Sequence, residues 1–134
     1  MKLLLDTHIL YWFFDGDQKL SPQAREMIEN LDNEKFFSVL SVWEIAVKHE
    51  KHPQNMTITG VEFAETCREA GFLPLDVSDK YVAALETLRR AEDAPPHKDP
   101  FDRMLIAQAK SEGMLFLTHD AKLRYYQEDC IVPV

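Results

Sequence analysis

KLLLDTHILYWFF, residues 2–14, sets a short apolar run against one acid and then a longer apolar and aromatic run. Three leucines closing on Asp6 and Thr7 have the length of a buried strand that ends on helix-capping residues. The aromatic residues Tyr11, Trp12, Phe13 and Phe14 then follow in helical register and cover more than one face. Part of that surface is therefore expected to meet another helix or another chain. Asp6 and His8 interrupt the run and no small-residue cleavage site follows, so it does not read as a secretory leader and is expected to stay in the protein.

Working outward, the same alternation recurs. Apolar runs near Lys2–Asp6, Lys35–Val39, Phe72–Leu75, Met114–Thr118 and Cys130–Val132 predict four or five strands, each short enough for a buried parallel sheet. Helices are predicted between them. Ser21-Pro22 heads one reaching about Leu31, Ser41–Glu44 and Thr59–Glu62 both have the capping-box pattern, and Ser78 opens a long helix from Asp79 to about Ala91 with Val82, Leu85 and Leu88 on one face. Asp99-Pro100 starts a last one, with Leu105, Ile106 and Ala109 inward, which Gly113 ends. The expectation is one α/β domain over residues 1–134, an open and mostly parallel sheet with helices on both faces.

Composition narrows the chemistry. Two distant cysteines, Cys67 and Cys130, suggest neither a disulfide framework nor a zinc knuckle and fit a reducing cytoplasm. No apolar stretch has the length of a spanning helix, so no membrane role is expected. His49-Glu-Lys-His52 lacks the spacing of a zinc protease helix, and a chain with four glycines contains no phosphate-binding loop of the P-loop or dinucleotide type. A net charge of −8 argues at first sight against nucleic acid. Two divalent cations in an acidic site would halve that charge, and Lys48, His49, Lys51 and His52 form a local basic run, with Arg68, Arg89, Arg90, Lys98 and Arg103 elsewhere.

Ligands of an open parallel sheet bind beyond the carboxyl ends of its strands. Four acids fall at that edge: Asp6 after the first strand, Glu44 in the first turn after the second, Asp102 in the first turn after Pro100, and Asp120 after the strand Met114–Thr118. Each has an ordinary structural explanation. Asp6 and Asp120 can be helix caps, and Glu44 and Asp102 can be third residues of capping boxes. Glu44 is nonetheless the only charge in SVWEIAV, residues 41–47, and a buried carboxylate there needs a partner. Four acids on one rim repel, and hard cations such as Mg²⁺ or Mn²⁺ are the natural counter-charge and can bracket a displacement at phosphorus. His97 and His119 stand beside these acids and are within reach of a phosphate.

At these residues the sequence resembles the PIN-domain ribonucleases, specifically the VapC-type toxins of type II toxin–antitoxin pairs. The matching segments are LLLDTHILYW, SVLSVWEIAVK, PPHKDPFDRMLIAQA and LFLTHD, in the family's order and across almost the whole chain. The resemblance implies a three-layer PIN-like sandwich, endonucleolytic cleavage of RNA dependent on Mg²⁺ or Mn²⁺, a homodimer, and inhibition by a small cognate antitoxin. By position it implies Asp6, Glu44, Asp102 and Asp120 as catalytic metal ligands. Thr118 would orient the fourth acid, and Asp99 would be a cap or lie just behind the ligands. Other readings are a catalytically silent PIN-fold module that binds nucleic acid or protein, and a phosphoacceptor receiver domain. The second would need an acid pair after the first strand, where Thr7 and His8 follow Asp6.

Overall fold

Leu3, Leu4 and Leu5 are all fully buried, as only a strand covered on both faces allows. In the computed structural model, which describes residues 1–97 and 99–134, they form β1 (Lys2–Leu5). Lys98, one of the scattered cations, lies outside the described residues. Around β1 stand β2 (Glu34–Ser38), β3 (Leu73–Leu75), β4 (Leu115–Thr118) and β5 (Ile131–Pro133), in the order β3-β2-β1-β4-β5. Every pairing is parallel, and Leu4 stands between Phe36 and Phe116. The sheet thus has five strands.

Alternation along β1 divides the core. Leu3 and Leu5, with Phe37 and Leu117, pack against α1 (Thr7–Asp15), α2 (Pro22–Glu29) and α4 (Gly60–Glu69) through Ile9, Leu10, Ile28 and Phe63. Leu4 and Phe116 face the other way, onto Leu105, Ile106 and Ala109 of α6 (Pro100–Glu112), which packs beside α5 (Asp79–Leu85). Between β2 and α4, α3 (Val39–Lys51) contributes Ile45 to the first core and Leu40 to the second. This is the expected three-layer α/β sandwich. The α1 aromatics are spent largely inside it, with Phe13 and Phe14 against Phe72 at 6.0 and 5.5 Å. Among the described residues no helix is long and apolar enough to cross a membrane.

Three local expectations need correction. The strand expected to reach Val39 ends at Ser38, which is fully buried and N-caps α3: its hydroxyl accepts the Leu40 N–H at 3.1 Å and donates to Gln108 Oε1 at 2.7 Å. Glu44 therefore lies in the second turn of α3, and Ser41–Glu44 is no capping box; Thr59–Glu62 is one, with both bonds made. The helix expected to run to Ala91 stops at Leu85. The chain beyond it makes a sheet-like pairing instead, with Gln127 N–H on Arg89 O at 2.8 Å and Ala91 N–H on Tyr125 O at 3.0 Å. Its buried face is led by Tyr81, whereas Val82 is exposed.

Order along the sheet places the site. The chain winds outward from β1 to β3, then crosses back to β4 on the far side of β1 and on to β5. The winding reverses between β1 and β4, and beyond the carboxyl ends of those two strands come Asp6 and Asp120. Such a reversal opens a crevice at that edge.

Candidate active site

Asp6 is the most buried of the four acids, with only 4% of its surface exposed. It N-caps α1, accepting the Thr7 N–H on Oδ1 at 2.8 Å, and Thr118 Oγ1 donates to its Oδ2 at 2.7 Å. Burial pushes its carboxyl above the usual range, the nearby Glu44 adds to the push, and the two hydrogen bonds and His8 oppose it. Thr118 also accepts the Asp120 N–H at 3.1 Å, so one hydroxyl ties the first acid to the fourth. It was expected to orient only Asp120.

Glu44 is held from two sides. Thr7 Oγ1 stands 2.8 Å from both Glu44 Oε1 and Ser41 Oγ; having one proton, it donates to the carboxylate, which can only accept. Lys48, one turn further along α3, pairs with Oε2 at 3.2 Å. Thr7 and Ser41 were read only as capping residues, and their contact across 34 positions is a tertiary one that no local pattern announces. The Glu44–Lys48 spacing, by contrast, is a legible helical pair.

Asp102 occupies the third position of α6, whose N-cap is Asp99. The Asp99 carboxylate takes the N–H groups of Phe101 and Asp102 at 2.9 and 3.4 Å, which leaves the Asp102 side chain to face the other acids. Burial first, and then the charges of Asp6, Asp99, Asp120 and Glu44, push the Asp102 carboxyl up to about 8. Asp6, Asp99, Asp120 and Glu44 thus all lie within electrostatic reach of Asp102, and Glu44 within reach of Asp6. Asp120 caps the 3-10 turn Ala121–Tyr125 through the Lys122 N–H at 2.9 Å.

Behind Asp102 lies a framework that sequence reading did not find. His97 Nε2 is 3.3 Å from Asp102 Oδ2, its Nδ1 is 2.8 Å from the Tyr126 hydroxyl, and Arg103 donates to the same hydroxyl at 3.1 Å. Arg90 covers the Tyr126 ring at 5.1 Å and donates to Pro95 O. Burial and then Arg90 hold His97 below its ordinary range, with Asp99 and Asp120 opposing, and its contact with Asp102 is a hydrogen bond. Tyr126 had no sequence signal, being one of two adjacent tyrosines in a stretch with no recognisable motif of its own. Cations also gather unevenly: Arg90 and Lys122 border the acids, whereas Arg68 lies over Phe37 and Lys48 is taken by Glu44.

Among the described residues no three acidic, histidine or cysteine side chains already converge to grip one ion. The two cysteines are free, and burial raises both thiols, Cys67 to about 12. What the edge offers is a set of hard oxygen donors, one of them, Asp102, held toward its neutral form by burial and then by the charge of the rest. That donor set fits Mg²⁺ or Mn²⁺, since Mg²⁺ commonly keeps several waters and takes only one or two carboxylates.

A parallel sheet with acids gathered where its winding reverses defines a class, an α/β domain presenting oxygen donors at one edge. The model of the PIN domain family matches residues 3–128. Ribonuclease VapC22 of Mycobacterium tuberculosis is 30% identical over 129 residues, which cover 93% of this chain and 92% of that protein. Two solved structures share the fold. VapBC2 from Rickettsia felis, bound to a DNA fragment from its promoter, has a TM-score of 0.70 at 15% identity, over 100% of this chain and 98% of that one. DNA-bound VapBC from Salmonella typhimurium has a TM-score of 0.68 at 18% identity, over 99% and 98%. The chain belongs to the PIN-domain family, in its VapC-type branch.

Proposed function

We propose that this chain is a divalent-metal-dependent endoribonuclease and the toxin half of a toxin–antitoxin pair. The observation that carries the reading is the placing of Asp6, Glu44 and Asp120 close enough to Asp102 for their charges to add to the burial that raises its carboxyl to about 8. Such a site is costly when empty of cations and is made favourable by binding them. RNA is favoured as the substrate because the 30% identical relative is named a ribonuclease. A cognate antitoxin and a homodimer complete the reading, the first supported by neighbours of the same fold that are toxin–antitoxin complexes.

Asp6, Glu44, Asp102 and Asp120 would hold the cation. Bound there, Mg²⁺ or Mn²⁺ would supply a water of lowered pKa and offset charge developing at the phosphate. The chain's own part is positioning. Thr118 and the Thr7 N–H fix both oxygens of Asp6, and the Thr7 hydroxyl and Lys48 fix those of Glu44. His97, anchored by Tyr126, holds Asp102 Oδ2 from behind, a direction in which the carboxyl can keep or share a proton. Incubating the purified chain with RNA and Mg²⁺, Mn²⁺ or a chelator tests this. Internal cleavage that requires metal and is lost in Asp6→Asn is expected; equal cleavage in chelator, or none with either metal, overturns it.

A further inference from the structure

Two cavities meet at Asp120, one taking in Asp99 and Asp102 and the other Asp6. On one side a cavity of about 280 Å³ is bordered by Asp99 and Asp102 and walled by Arg90, His97, Lys122 and Tyr125. On the other, about 240 Å³ lies between Asp6 and the rings of His8, Trp12 and His119. The two walls differ in chemistry. The first carries cations: Arg90, and Lys122 on the exposed 3-10 turn. The second is aromatic, with His8 and His119 on Trp12 at ring distances of 5.8 and 5.4 Å. His119 donates Nδ1–H to Val134 O at 2.7 Å, which fixes the ring beside Trp12.

Both cavities fall just below the roughly 300–1,000 Å³ of pockets for drug-sized ligands, so each has room for a single base or a sugar-phosphate group and not for a stacked base pair. Phosphates are gripped by Lys and Arg, and an unstacked base lies well on an aromatic ring. Resting on the ribonuclease reading above, we propose that single-stranded RNA crosses the acid row, one flanking nucleotide with its phosphate against Lys122 and Arg90 and the opposite one with its base against Trp12, His8 and His119. An occupied cavity on each side of the acids also accounts for an internal cut, since the chain continues past the reacting phosphate in both directions.

The test uses the full chain with Mg²⁺, in which cleavage by the parent first establishes the ribonuclease reading independently. Lys122→Ala should raise KM several-fold with a smaller change in kcat, and lower the slope of log binding against log salt by about 0.7, the value for one lost contact to a single strand. Lys122→Arg should restore both. His8→Ala with His119→Ala should raise KM without changing that slope, because stacking is lost and no phosphate contact is. With Trp43→Phe making Trp12 the sole tryptophan, added oligonucleotide should quench its emission. A parent that cleaves while Lys122→Ala keeps its KM and salt slope, or while Trp12 emission ignores RNA, overturns this path and leaves the ribonuclease reading standing.

Discussion

Thr118 shows how much one buried hydroxyl holds at the residue scale. It donates to Asp6 Oδ2 and accepts from Asp120 N–H, so Thr118→Val leaves two polar groups short of a partner. A loss of about 1–3 kcal/mol in urea melts is expected, with Thr118→Ser recovering most of it. Asp102 gives the opposite sign. Its folded pKa of about 8 lies above the ordinary aspartate value of 3.8, so between the two the folded state keeps a proton the unfolded chain has released. The stability this gives is complete below about pH 4 and is lost as pH rises through about 8. Asp102→Asn should therefore melt higher than the parent in chelator at pH 8, by a margin that shrinks toward pH 4, and should gain less from added Mn²⁺. Melts in which the margin is independent of pH would show that Asp102 does not carry the strain.

At the scale of elements, α3 depends on its entry. Ser38 joins β2, α3 and, through Gln108, α6, and Gln108 also donates to Asp76 O at 3.2 Å. Ser38→Ala removes a cap and strands a buried amide, so about 1–3 kcal/mol of stability should go, read as a lower urea midpoint at unchanged slope. The α4 entry is steric. A Cβ on Gly60 would stand 2.9 Å from Val42 O and 3.0 Å from the Ala46 methyl, so Gly60→Ala should push α4 off α3 and destabilise the chain despite favouring a helix. These entries also mark where sequence was readable. Periodicity and punctuation located every strand and helix, and capping chemistry located Asp99, Thr59 and Ser21, because those signals are local. Ser41 was mistaken for a cap and Arg89–Ala91 for helix because their partners, Thr7 and Tyr125–Gln127, lie 34 or more residues away in the chain. Asp6 and Asp120 were read from their places after strands, and Glu44 and Asp102 from early turns of the helices that follow Ser41 and Pro100. The Tyr126–His97 support was not, since it exists only once the 3-10 turn folds back.

For the whole molecule, apolar surface is left exposed in several places, and one of them is a groove. Trp43, 58% exposed, meets Phe101 edge-on at 5.0 Å, and Val77, Met104 and Leu40 extend the groove. On the proposed homodimer reading, Trp43→Glu should weaken self-association in sedimentation runs, whereas a parent that is monomeric at every concentration would remove the dimer. Asp6, Glu44, Asp102 and Asp120 are proposed to act as a single hydrolytic site. Single-turnover cleavage of RNA in Mg²⁺ by parent and by Asp6→Asn, both shown folded by circular dichroism, addresses it most directly. A rate lower by at least about 100-fold in the variant is the expected result, as loss of a transition-state interaction worth roughly 3 kcal/mol; equal rates in the two folded proteins would contradict the assignment.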